Sequence, residues 1–260
     1  MIQVKDLCVS LNGKQILKDI SFDLQEGQNL AILGRSGSGK TVLIKSLLGI
    51  YMPDSGEVII DGIDIHRGDQ KACQDLKMRF AMVFQNAALL DSFTVLQNVA
   101  LPLYERGSGD SDEIQKKVIE SLKTVGLEHT LDLYPAQLSG GMRKRIGIAR
   151  ALVYSPDYII FDEPVSGLDP ITAGEVLFYI SRIKNGIVSK VNNKDTIAKV
   201  HVAAATQTSV ATLITITHEI RNLDQIADRV LFLDNGSVLF SGSVPELQHS
   251  TNEFIKRYLA

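Results

Sequence analysis

The chain is short of cysteine: only Cys8 and Cys73 occur in 260 residues. Two thiols without metal-ligand spacing make neither a disulfide framework nor a zinc site, so a reducing compartment suits them. No run of about 18 apolar residues escapes interruption by charge, and the opening Met1-Ile2-Gln3-Val4-Lys5-Asp6 lacks the basic-then-apolar order of a signal peptide. The expectation is a cytosolic chain with no membrane span of its own. Charge of either sign is not in excess: 27 Lys and Arg against 30 Asp and Glu give a net charge of -3. No global basic field draws the protein to nucleic acid or anionic lipid, so partners are met through local sites. No internal repeat is visible. With 45% hydrophobic residues, 20 Gly and 7 Pro, disorder, collagen and low-complexity classes are excluded, and the length buries a core without staples.

Short alternating runs open the sequence: Gln3 to Val9, a turn at Asn12-Gly13, Ile16 to Leu24, then Glu57 to Ile60, Asp61-Gly62 and Ile63 to Ile65. Asn-Gly and Asp-Gly tolerate positive φ and favour hairpins, so an antiparallel patch is expected. Asn29-Leu30-Ala31-Ile32-Leu33 is instead a continuous apolar run of the kind buried in a parallel sheet, with a Gly-rich turn and a helical pattern at Thr41 to Leu48 behind it. Thr94 to Leu152 is mainly helical, with Ile114, Val118, Ile119 and Leu122 at helical spacing. Strands resume at Tyr158 to Phe161, Leu213 to Thr217 and Val230 to Leu233, and Asn235-Gly236 opens a last hairpin.

Gly34-Arg35-Ser36-Gly37-Ser38-Gly39-Lys40-Thr41 fits G-x-x-x-x-G-K-[ST], the Walker A pattern, between a strand and a helix as that pattern requires. Glycines let backbone N–H groups turn in around phosphate oxygens and the helix N-terminus adds positive potential. Lys40 would neutralise the β- and γ-phosphates, and the Thr41 hydroxyl would ligate Mg²⁺. Tyr158-Ile159-Ile160-Phe161-Asp162-Glu163 is an apolar strand that delivers two acids to the edge beside that loop. Asp162 would hold Mg²⁺ through its water shell, and Glu163 would polarise the attacking water as general base. The two motifs together point to a nucleoside-triphosphate hydrolase.

Leu138-Ser139-Gly140-Gly141-Met142, lying between these motifs and ahead of a basic, apolar helical run from Arg143 to Leu152, closely resembles the signature motif of ATP-binding-cassette ATPases. Most of the chain follows that family's order. Ser139 at a helix start with Gly140 and Gly141 makes a second anion cradle, and the resemblance implies a head-to-tail homodimer with ATP sandwiched between subunits. It also implies that Gln85 contacts Mg²⁺ and the attacking water, that Asp169 lies in a loop crossing the dimer interface, and that His218 contacts the γ-phosphate. The expected fold is an α/β P-loop NTPase with a RecA-like core, an N-terminal antiparallel β subdomain and a helical subdomain insertion. As a single cassette it would place the core and β subdomain at 1–87 and 157–260, the helical subdomain at 88–156, and an extra insertion at 185–208. That insertion carries a hairpin pattern over 187–200 and reads as either a surface decoration or a partner-docking element.

These ATPases usually stack adenine on an aromatic in the amino-terminal hairpin, where Val9-Ser10-Leu11-Asn12-Gly13-Lys14 has none; Leu11 or Val9 would give an apolar contact instead. Phe84 to Val95, Asn98 to Leu103, the Gly-Gly-Met-Arg-Lys-Arg stretch and Gly167 to Gly174 are similar to the ATPases of Mce-type phospholipid transporters. That likeness implies a peripheral subunit on the cytoplasmic face of the inner membrane, coupled to a permease and an Mce-domain lipid-binding protein. The permease would dock around Gln85 to Phe93, on Leu89, Leu90 and Phe93. An amino-acid or lipoprotein transport system shares the core motifs, and so do family members acting in translation or DNA repair.

Overall fold

The computed structural model describes residues 1–107, 109–186, 211–218, 220 and 222–259. The hairpin expected over 187–200, and the 185–208 insertion beyond its first two residues, lie outside the described residues. In chain order the strands are β1 (Ile2–Leu11), β2 (Lys14–Leu24), β3 (Leu30–Leu33), β4 (Ser55–Ile60), β5 (Ile63–Asp64), β6 (Phe80–Val83), β7 (Tyr158–Asp162), β8 (Thr212–Ile216), β9 (Arg229–Asp234) and β10 (Ser237–Ser243). The helices are α1 (Lys40–Leu47), α2 (Gln70–Lys77), α3 (Val95–Glu105), α4 (Ser111–Thr124), α5 (Gly140–Leu152), α6 (Pro170–Lys184), α7 (Leu223–Ile226), α8 (Val244–Gln248) and α9 (Glu253–Leu259). The chain divides into two compact units, one of Met1–Ala81, Tyr158–Glu163 and Thr212–Ala260, the other of Met82–Asp157 and Pro164–Ala211.

The first unit carries two sheets. One is antiparallel, ordered β2-β1-β4-β5, with Ile2 opposite both Leu24 and Ile60. Alternation along β1 breaks at Asp6, which takes a φ of 48°, where the register slips between Val4 and Leu7. The extra residue of that bulge returns Leu7 and Val9 to the buried side already occupied by Ile2 and Val4.

The other sheet is ordered β10-β9-β3-β8-β7-β6, and β6 leads from it into the second unit. β3 runs parallel to both β8 and β9, and β7 is parallel to β8. Every residue of β3 and β8 is buried, as expected of central parallel strands covered on both faces. Their register positions the site: Ile32 and Asp162 both stand level with Ile216. The carboxyl ends of three neighbouring strands therefore emerge together, and the loops they release start at one sheet edge.

The second unit is helical. Thr94 and Gln97 form a capping box at the start of α3, and Asp110, Ser139 and Asp169 each accept a backbone N–H at the starts of α4, α5 and α6. Apolar faces carrying Val95, Val99, Leu103, Val118, Leu122 and Ile146 are buried where α3, α4 and α5 pack on one another. Among the described residues, no helix is long and apolar enough to cross a membrane.

Candidate active site

The loop between β3 and α1 is built as the Gly-rich pattern requires. Gly34, Gly37 and Gly39 take φ values of 144°, 79° and 105°, a left-handed series that L side chains resist. Lys40 opens α1, one residue earlier than the sequence pattern placed the helix. Its Nζ donates to the carbonyl oxygens of Gly34 at 2.7 Å and Arg35 at 3.0 Å, so the ammonium lies folded across its own loop. Burial holds the Lys40 pKa below its ordinary value, while Glu163 and then Asp162 pull it the other way. The acids therefore share the electrostatic neighbourhood of the lysine. Thr41 follows on the exposed side of the first helical turn.

Ser38 is 4% exposed, and its Oγ has no hydrogen-bond partner among the described residues. An orphaned buried hydroxyl is costly. Next to a helix N-terminus and the Lys40 ammonium, it fits a ligand that brings acceptor oxygens, which is what a polyphosphate offers.

Asp162 ends β7, and Glu163 follows in a left-handed conformation at φ 48° with its N–H bonded to the Ile216 carbonyl at 2.9 Å. Such a φ is strained for a residue with a Cβ and persists only where the surroundings hold it. It turns the Glu163 carboxylate toward the end of β8, where His218 Nδ1 lies 2.7 Å from Glu163 Oε2. The glutamate side chain is 16% exposed and the histidine 64%. Sequence order placed these two groups separately, as base and as γ-phosphate contact; in the structure they first meet each other. No group of three or more His, Cys, Asp or Glu forms a self-sufficient metal site among the described residues. A Mg²⁺ here would draw on the Thr41 hydroxyl, the Asp162 carboxylate and the oxygens of a bound nucleotide, the hard oxygen donors that ion prefers.

Val9 is fully buried in β1 and so is withdrawn as an adenine contact. The bulge at Asp6 sends it to the core side. Leu11 is partly exposed, and so is Ile16 on β2. A second group that sequence reasoning missed buttresses the loop from α9. The Arg35 guanidinium lies 4.4 Å above the Phe254 ring, and Phe254 and Tyr258 both pack edge-on against Phe232 of β9. Burial, first, raises the Tyr258 pKa against the effect of the Gly34 backbone. The only sequence signal for this was two aromatics at i, i+4 spacing near the carboxyl end.

The remaining candidates belong to the second unit. Ser139 caps α5, accepting the Met142 N–H at 3.2 Å, and Gly140 and Gly141 form the first turn of that helix instead of preceding it. First-turn amides have no intrahelical acceptor and are available to an anion. Asp169 is the N-cap of α6, taking the N–H groups of Ile171 and Thr172 and the Thr172 hydroxyl. The Thr172 bonds hold its pKa below the ordinary carboxylate value. Gln85 donates through Nε2 to Ser166 Oγ at 3.2 Å. Of the apolar residues expected to form a docking surface, Leu90 is 42% exposed and Leu89 and Phe93 are half-buried; Phe84, not singled out beforehand, is 44% exposed.

The sequence model of the ABC transporter family matches residues 17–166. Curated relatives include the methionine import ATP-binding protein MetN of Carboxydothermus hydrogenoformans, 38% identical over 95% of this chain and 67% of that protein. The L-cystine import ATP-binding protein TcyC of Bacillus subtilis is 35% identical over 100% of this chain and 99% of its own length. The chloroplastic protein Trigalactosyldiacylglycerol 3 of Arabidopsis thaliana is 32% identical over 99% of this chain and 73% of its own. Among solved structures, CbiO1 of Clostridium perfringens, part of the ABC transporter complex CbiONQ, superposes with a TM-score of 0.80 at 28% identity over 99% of this chain and 94% of that one. The dimeric post-hydrolysis structure of the cassette MJ0796 with ADP and Pi gives a TM-score of 0.75 at 28% identity, covering 94% of this chain and 99% of that one.

Proposed function

The chain belongs to the ABC transporter family and is an ATP-hydrolysing cassette of it; from that premise we propose that it works as a head-to-tail homodimer powering a membrane permease. The observation that carries the reading is the sheet edge where Lys40, the orphaned Ser38 hydroxyl, Asp162 and the Glu163–His218 pair are gathered. The loop amides, Lys40 and Ser38 bind the phosphates of ATP, and Ser139, Gly140 and Gly141 of the second subunit bind the γ-phosphate from the far side. Mg²⁺ held by Thr41 and Asp162 would neutralise phosphate charge. Glu163 accepts the proton of the attacking water. His218 leaves Glu163 for the γ-phosphate when ATP arrives, freeing the carboxylate for that role. The dimer closes because ATP is held from both sides, and it reopens when hydrolysis removes the shared phosphate. Asp169, capping α6, orders the loop at the dimer interface, and Gln85 relays the state of the site to the permease.

The cargo has two supported readings. Amino-acid uptake has the broader support among relatives, since MetN and TcyC are named for methionine and cystine import and TcyC matches end to end. Phospholipid transport, with a permease and an Mce-domain protein, is favoured by the Gly141-Met142-Arg143-Lys144 sequence and by the relative named for a galactolipid, which matches 99% of this chain. Both place the chain on the cytoplasmic face of the membrane.

The test is Glu163→Gln, purified from native membranes in ATP. Hydrolysis at least about 100-fold slower than wild type, with an ATP-dependent dimer and a co-purifying permease, is the expected result. Amino-acid binding components in the preparation select the first cargo; phospholipid with an Mce-domain protein selects the second. Wild-type hydrolysis rates, or recovery with ribosomes or DNA-repair proteins in place of a permease, would overturn the reading.

A further inference from the structure

Helix α5 does more than present the signature serine and glycines. Lys144, Gly147 and Arg150 are spaced three residues apart and form one stripe along it. Each meets the loop that follows β6. Lys144 is 6% exposed, and its Nζ donates to the Gln85 carbonyl. Arg150 donates through both terminal nitrogens, to the Ala87 carbonyl at 2.5 Å and the Ala88 carbonyl at 2.8 Å. Between the two cations the backbones come close: a Cβ on Gly147 would stand 3.1 Å from the Ala87 Cβ and 3.4 Å from its Cα.

The loop so held is not relaxed. Ala87 and Ala88 take φ values of 58° and 48° in succession. Two consecutive left-handed alanines persist only where the surroundings impose them. Two charge-assisted bonds into their carbonyls from Arg150, a half-buried side chain, are an adequate cause; burial also holds the Arg150 pKa below its ordinary value. The far end of the loop is fixed by Asn98, fully buried, which takes the Leu90 N–H and donates to the carbonyls of Leu90, Phe93 and Thr94.

We infer that Lys144, Gly147 and Arg150 are positioning residues that lock the Gln85–Ala88 backbone to the signature helix. Both move as one piece, and nucleotide engagement at Ser139–Gly141 is felt directly at Gln85. The Gly-Gly-Met-Arg-Lys-Arg stretch then has a physical task at its lysine, which supplies a charged donor to a backbone oxygen. The inference rests on the proposed function for what Gln85 does, but not for the tether itself.

The experiment is Lys144→Met, with Lys144→Arg as rescue and Gly147→Ala as a second variant that favours the helix while crowding Ala87. Amide exchange of residues 85–88 and steady-state ATP hydrolysis are measured on the full chain. Lys144→Met should speed exchange in that loop about tenfold, the cost of one charge-assisted bond. It should lower kcat by a similar factor with KM for ATP held within about twofold. Lys144→Arg should restore both. Gly147→Ala should lower kcat without lowering the thermal midpoint. Unchanged exchange at 85–88 in Lys144→Met, or a KM rise at constant kcat, overturns the tether. Wild-type protein without hydrolysis would instead count against the proposed function, while the exchange measurement still decides the tether.

Discussion

Replacing Gly34 by alanine puts the construction of the phosphate loop to a quantitative test. A Cβ at Gly34 would stand 2.2 Å from the Leu233 carbonyl oxygen and 2.7 Å from Ser38 Oγ. Ordinary contact demands about 1 Å more than the first of these distances. Leu233 cannot supply it, because it is fully buried in β9, whose neighbouring Phe232 is paired with Leu33. The loop itself must shift, carrying with it the Gly34 carbonyl on which Lys40 rests. Misplacing a binding constellation by about 1 Å costs on the order of 100-fold, so Gly34→Ala should lose about that much ATP affinity.

Gly37→Ala is the internal control. Its φ of 79° is also unfavourable for alanine, but nothing lies within 4 Å of the new methyl. That variant should lose about 1 kcal/mol of stability from backbone strain and keep ATP affinity within about tenfold. Binding of a fluorescent ATP analogue, with thermal midpoints taken in parallel, separates the two effects. Equal affinities for the two variants, or wild-type affinity in Gly34→Ala, would refute the reasoning.

Two further outcomes follow from single side chains. Leu90→Asp should fold and bind ATP as wild type, since the backbone of Leu90 is held by Asn98 while its side chain is 42% exposed, but it should no longer recover the permease from membranes; recovery at wild-type yield removes Leu90 from the docking surface. Burial lowers the pKa of His66, whose Nε2 has no hydrogen-bond partner among the described residues, so the unfolded chain takes up the proton at higher pH than the folded one. Its contribution is complete above the unfolded pKa of about 6.5 and is lost as pH falls through the folded value. Urea midpoints of wild type should therefore drop more steeply below that pH than those of His66→Asn, and parallel curves would contradict the assignment.

The local chemistry was legible in the sequence because it is written in contiguous residues. A Gly-rich turn between an apolar strand and a helix, and an apolar strand ending in two acids, each specify their own backbone. Hence the strand, helix and hairpin pattern of the described residues was largely recoverable, along with the placing of Asp162 and Glu163 at the sheet edge beside the Lys40 loop. Periodicity failed where one inserted residue reset it. The bulge at Asp6 turned Val9 inward, and a period-two reading has no means of registering such a slip.

Contacts between distant segments were decided by tertiary structure alone. Glu163 meets His218 because Asp162 and Ile216 stand level across β7 and β8. Phe254 reaches Arg35 because β9, which lies beside β3, carries the Phe232 on which it packs. Lys144 and Arg150 look in sequence like the solvated face of a basic helix, yet both are turned into carbonyl oxygens about 60 residues earlier in the chain. A cation's partner is fixed by which backbone oxygens the fold leaves unpaired nearby, and no spacing within the helix itself encodes that.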